Sequence, residues 1–220
     1  MIALIDYKAG NLTSVRKAFA ALGAELFTPG QPADLESADA IVVPGVGHFG
    51  ATKALGPDWI EAILGRIGEL RPLLGICLGM QWLFEGSEEA PDLPGLGLLS
   101  GRCYKLRGSV VGSADGAPAT PDRGAGAPGV INVKIPHVGW NSLDIQRESS
   151  IVEDVTPGAQ VYFTHSFVAP VTGDTIAVTS HGEPFASIVQ RGHVSGVQFH
   201  PEKSGDVGLQ VLKNFLAMAG

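Results

Sequence analysis

At 220 residues, with 45% hydrophobic and 17% charged side chains, the chain can bury a substantial α/β core and is too apolar for a disordered polymer. Its formal charge of -7 argues against the basic stripe of a nucleic-acid surface. The opening apolar run, Met1 to Ile5, stops at Asp6, far short of the roughly 20 residues of a spanning helix. No membrane or export segment is expected, so Cys77 and Cys103 are read as thiols in a reducing cytoplasm.

Taken in order, Ile2–Ile5 reads as a buried strand. A helix follows from about Leu12 to Leu22, with Leu12, Val15, Phe19 and Leu22 on one face, Asn11 as N-cap and Gly23 as stop. Glu25–Phe27 and Ala40–Val43 are the next strands, the latter ended by Pro44-Gly45. Trp59–Leu70 is helical, Leu73–Ile76 is a strand, and Gly79–Glu85 turns helical again. The second half holds strands at Ser100–Leu106, Val130–Ile135, Gln160–Val168, Thr175–Ser180, Ala186–Gln190 and Val194–Gln198, and a closing helix at Gly205–Met218. The expected fold is a single α/β domain over residues 1–220. Its central, mostly parallel sheet is flanked by helices, with an antiparallel extension in the second half. Gly108–Gly129, rich in Gly, Ala, Pro and Ser, reads as a flexible surface insertion, because it cannot bury enough surface to offset its ordering entropy.

Gly75-Ile76-Cys77-Leu78-Gly79 lies between a strand and a helix. This is the glycine-flanked nucleophile elbow with cysteine in the serine position. The tight turn projects the side chain from the sheet. A helix N-terminus favours a thiolate, and the Leu78 amide can donate to a developing oxyanion. A lone cysteine is more often structural, and Cys103, without such a setting, is read that way. Among the six histidines, His200 ends an apolar strand in Gln198-Phe199-His200-Pro201-Glu202. Glu202 can fix its tautomer and leave the other ring nitrogen for Cys77. Both lie at strand C-terminal ends, where parallel sheets carry their sites. Gly45-Val46-Gly47 follows the third strand and can turn amides toward a ligand. A phosphate loop would need a Lys-Ser/Thr ending that is absent. His137, His181 and His193 lack ligand spacing and read as structural or surface residues, so no metal is expected.

GICLGMQ at 75–81 and VQFHPEKSG at 197–205 resemble the class I, triad-type glutamine amidotransferases. DYKAGNLTSV at 6–15, PGVGHFG at 44–50, KIPHVGWN at 134–141 and YFTHSF at 162–167 resemble the glutaminase subunits of imidazole glycerol phosphate synthases. The resemblance runs nearly end to end, apart from the insertion. It implies that Cys77 forms a glutamyl thioester, that His200 moves protons and that Glu202 orients His200. Leu78 and an amide of Val46 or Gly47 would form the oxyanion hole, and Gly45, Gln81, His165, Ser166 and Phe167 would hold glutamine. It also implies a heterodimer with a (β/α)₈ synthase subunit that takes the ammonia in histidine biosynthesis, with Asn11, Trp140, Tyr162 and Lys203 near the interface. No cofactor is implied. Lys8-Ala9, Val138 and Phe167 depart mildly from the pattern. Glutaminases of the anthranilate, guanylate and pyridoxal phosphate pathways share the elbow and the HPE string. A stand-alone γ-glutamyl hydrolase or cysteine peptidase and a non-catalytic module are further alternatives.

Overall fold

The computed structural model describes residues 1–112 and 129–220. Successive strand side chains point to opposite faces, so an unbroken apolar run demands cover on both. The strands β1 (Ile2–Leu4), β3 (Ala40–Gly45) and β4 (Leu73–Cys77) are buried throughout. Ile2, Leu4, Val42, Leu74 and Ile76 join one core cluster, and Ala3, Ile41, Val43 and Leu73 join the other. Helices α1 (Leu12–Ala21) and α4 (Gly205–Met218) contribute to the first, where Phe19 and Phe215 meet edge to face at 6.4 Å. Helix α2 (Pro57–Gly68) supplies Ile63 to the second.

The main sheet has eight strands in the order Asp144–Ile145, Thr175–His181, Glu183–Arg191, Val194–Val197, β4, β3, β1 and β2 (Leu26–Phe27). Pairings from Val194–Val197 through β2 are parallel, and the remainder are antiparallel. This is the expected parallel sheet with an antiparallel extension. No helix among the described residues is long and apolar enough to cross a membrane.

Several boundaries differ from expectation. β3 continues through Pro44-Gly45, pairing Pro44 with Ile76 and Gly45 with Cys77. Val42 accepts from the Ile5 amide on the β1 side, and Pro44, two residues on, faces the same way past the end of β1. Its missing N–H therefore leaves no ladder bond unmade. Gln160–Val168 divides at Ser166: Gln160–His165 pairs with His137–Ser142, and Phe167–Val168 pairs with Arg102–Lys105. The expected strand at 130–135 is Gly129–Asn132, paired with Ser109–Gly112. The ends of the expected insertion are thus a two-stranded ribbon, while residues 113–128 lie outside the described residues.

Candidate active site

Cys77 ends β4 with φ 52° and ψ −105°, left-handed backbone that a non-glycine residue adopts at a cost of about 1–3 kcal/mol. The flanking glycines make the turn possible. A Cβ on Gly75 would lie 2.6 Å from the Gly79 carbonyl oxygen, and one on Gly79 would lie 1.8 Å from that of Val43. Because backbone cannot yield as a side chain can, Gly79→Ala is expected to cost about 3 kcal/mol or more of stability, read as a lower urea midpoint. A wild-type midpoint would disprove the close approach.

Helix α3 spans only Leu78–Trp82, shorter than the expected Gly79–Glu85. The Leu83 and Phe84 amides close i−3 bonds to Met80 and Gln81, and the Glu85 amide is drawn to the Gly101 carbonyl. Five residues carry little macrodipole, so the expected helix-end support for a thiolate reduces to nearby amides.

Val194–Val197 lies beside β4 in parallel, with Val197 opposite Ile76. Chain continuing from that strand therefore reaches Cys77 at the C-terminal edge. His200 is 2% exposed, and its Nδ1 lies 2.9 Å from Glu202 Oε1. Its amide donates to the Tyr162 carbonyl, while Ser204 Oγ donates to the His200 carbonyl and accepts from the Tyr162 amide. These bonds pin the histidine loop to the strand Gln160–His165. Among the described residues, His200 Nε2 finds no hydrogen-bond partner of ordinary geometry. Even so, Cys77 is close enough to change its proton affinity. Burial pulls the His200 pKa down, but Cys77 and Glu202 outweigh it and push it up to about 10. An imidazolium beside the sulfur is the charge partner that a thiolate nucleophile requires.

The sulfur opens into a cavity of about 270 Å³. Of the residues expected at the substrate, Gln81, His165, Ser166 and Phe167 line it, as do Leu78 and Gly47. Gly45 stands beside Cys77 in the strand register but does not line the cavity. A Cβ there would lie 2.0 Å from the Tyr7 hydroxyl, so the position admits only glycine. The Val46 amide donates to the Ala9 carbonyl at 2.6 Å and is not available to an oxyanion in this state. The grip comes from the adjoining turn. Lys8 sits at φ 63°, where glycine is favoured, and its amide and Nζ both bond the Asp6 carboxylate, at 2.9 and 2.8 Å. These two bonds hold a lysine in that left-handed conformation.

Glu89, Pro136 and Thr164 also line the cavity and were missed. Glu89 Oε2 accepts from the Phe49 amide at 2.6 Å. No sequence motif marks it; the pairing of Gly86–Ser87 with Ala90–Pro94 brings it in. His137 is buried, with Nδ1 3.1 Å from His165 Nε2. Burial first, then the neighbouring histidines, lower His137 to about 4 and His165 to about 3, so both are neutral at physiological pH. His181 stacks on His137, and His193 bonds the Ile67 carbonyl, in keeping with structural roles. Cys103 is free and buried, and burial pushes its thiol up.

Among the residues expected at a partner face, Trp140 is 57% exposed and meets Tyr162 edge to face, while Lys203 Nζ lies 5.7 Å from the Tyr162 ring centre. Val138, also 57% exposed, shares the outer side of this strand. Asn11 is exposed and caps α1, accepting from the Ser14 amide.

Residues 3–219 match the family model described as glutamine amidotransferase class-I. The chain is 39% identical over 220 residues to the imidazole glycerol phosphate synthase subunit HisH of Methanothermobacter thermautotrophicus, covering 98% of each chain. It is 41% identical to the protein of the same name from Deinococcus radiodurans, covering 97% of this chain and 92% of that one. A solved structure described as a glutamine amidotransferase superposes with a TM-score of 0.71 at 20% identity, covering 100% of both chains. PurLQS from Thermotoga maritima superposes with a TM-score of 0.68 at 16% identity, covering 98% of this chain and 97% of that one. At such identities the superpositions speak for the fold alone.

Proposed function

Since the chain belongs to the class-I glutamine amidotransferase family, we propose that it is the glutaminase subunit of an imidazole glycerol phosphate synthase, acting in histidine biosynthesis. The observation that carries the reaction is the meeting of Cys77, His200 and Glu202 at the ends of two adjacent parallel strands. Cys77 Sγ attacks the side-chain amide carbon of glutamine. His200, held by Glu202, gives its proton to the departing nitrogen, and ammonia leaves a glutamyl thioester. His200 then takes a proton from water, whose oxygen attacks the thioester, and glutamate departs as the sulfur recovers its charge. The Leu78 amide, with an amide of the Val46-Gly47 segment, bears the oxyanion. Gln81, His165, Ser166 and Phe167 form the glutamine wall, and the Glu89 carboxylate suits the substrate's ammonium group.

The bond from Val46 to Ala9 supports a gated enzyme, because one oxyanion donor is spent on the protein itself. A partner that favours the turned-in loop raises the rate by shifting that population. The partner is a (β/α)₈ synthase subunit seated over Asn11, Trp140, Tyr162 and Lys203, which receives the ammonia.

Glutamate release is expected to be slow for the chain alone. It should rise about 100-fold when a synthase subunit with bound nucleotide ligand is added, within the usual range of coupling. The check is an initial-rate assay with and without both. Full activity from the chain alone would replace this reading with a stand-alone hydrolase.

A further inference from the structure

We propose that Gln198 is a further residue of the reaction centre, donating its side-chain amide to the Cys77 sulfur and tying that sulfur, through Gln81, to the wall of the glutamine pocket. Its purpose rests on the glutaminase reading, although the contact itself does not. Gln198 directly follows the strand Val194–Val197, whose register sets Val197 opposite Ile76, so the next residue arrives beside Cys77. It is fully buried, and its backbone N–H donates to the Ser187 carbonyl. Buried side-chain amides need partners, and the partners here form one chain. Gln198 Nε2 lies 3.6 Å from Cys77 Sγ, and Gln198 Oε1 lies 3.2 Å from Gln81 Nε2.

The direction of that chain follows from its far end. The Phe167 carbonyl can only accept, and it lies 2.8 Å from the Gln81 amide, so Gln81 must present its NH₂ there. The second proton of the same NH₂ points to Gln198, which must answer with its oxygen. That orientation leaves the Gln198 NH₂ facing sulfur. A donor to sulfur favours the charged form over the thiol and holds Sγ in one direction. His200 supplies a proton carrier on one side of the sulfur; Gln198 supplies a donor that is never spent in proton transfer. Gln81 and Phe167 both line the cavity, so seating a ligand there also bears on the sulfur's aim.

The test uses the whole chain without glutamine or partner. Iodoacetamide alkylation at Cys77 is followed by intact mass for wild type, Gln198→Met and Gln198→Glu. Cys103 is fully buried and Cys77→Ala gives the background, so one added label reports Cys77. Gln198→Met keeps the length and removes the donor; Gln198→Glu keeps the shape and places an anion by the sulfur. The alkylation rate at neutral pH is expected to fall about tenfold in Gln198→Met and further in Gln198→Glu, with the rate–pH profile moved to higher pH. Wild-type rates and profiles in both variants would overturn the proposal while leaving the glutaminase reading in place. Slow labelling in both variants, from a wild-type chain that no partner can make release glutamate, would uphold the sulfur donor and reject that reading. Failure of wild-type Cys77 to label at all would overturn both. If neither variant folds, the wild-type Gln198 side-chain amide resonances decide. They are expected to shift when Cys77 is alkylated, and unmoved resonances would overturn the donor.

Discussion

Cys77→Ala is expected to abolish partner-stimulated glutamate release, by about 10⁴-fold or more, since a covalent route cannot proceed without its nucleophile. The fold should survive. Alanine retains the Cβ that the backbone already accommodates at φ 52°, and only the sulfur is lost. Unfolding should stay cooperative, because the substitution leaves both core clusters otherwise intact. Cys77→Ser is expected to be almost as inactive. Its hydroxyl cannot reproduce the sulfur that helps to raise His200. Initial rates in the presence of liganded partner decide the matter, and appreciable turnover by Cys77→Ala would reject the thioester route.

Glu202→Gln is the second large effect. Glutamine keeps the shape and removes the carboxylate from a histidine whose side chain is only 3% exposed. The imidazolium then has one anionic neighbour fewer to offset its burial, and its tautomer is no longer fixed. Activity at neutral pH is expected to fall by about 10⁴-fold, the size of effect when a triad's orienting carboxylate becomes an amide. Stability should carry the same signature. His200 is raised from 6.5 to about 10 on folding, so the folded state holds its proton more tightly than the unfolded chain. The resulting stabilisation is complete below the unfolded value and is lost as pH rises through about 10. Urea midpoints of the wild-type protein should therefore decline between these limits, and Glu202→Gln should show a flatter decline. Parallel curves for the two proteins would mean that Glu202 does not hold the charge.

What could be read beforehand was whatever is local in the chain. The elbow needs a strand, two close-packed glycines and a turn within five residues, and all of that is spelled out at Gly75–Gly79. The two-residue step from His200 to Glu202 is short enough that Pro201 and the chain itself bring the imidazole to the carboxylate. By contrast, Gln81, Gln198 and Phe167 share a hydrogen-bond chain although 117 residues separate the first two and 86 separate Gln81 from Phe167. Nothing in their neighbourhoods signals that meeting. Glu89 and the His137–His165 pair are equally non-local.

The apolar strands, the cap of α1, the nucleophile with its glycines, and the histidine with its carboxylate are all legible in the order of residues along the chain. Backbone sterics and side-chain periodicity act over a few residues and leave their mark in order and spacing. Packing between distant segments sets the bond from the Val46 amide to Ala9, the end of α3 at Trp82, and which buried amide faces the sulfur. Those outcomes depend on strand register and on competition among polar groups from distant segments. A hydrogen bond's partner is chosen by which acceptor the packed fold brings within reach, and no short stretch of chain carries that information.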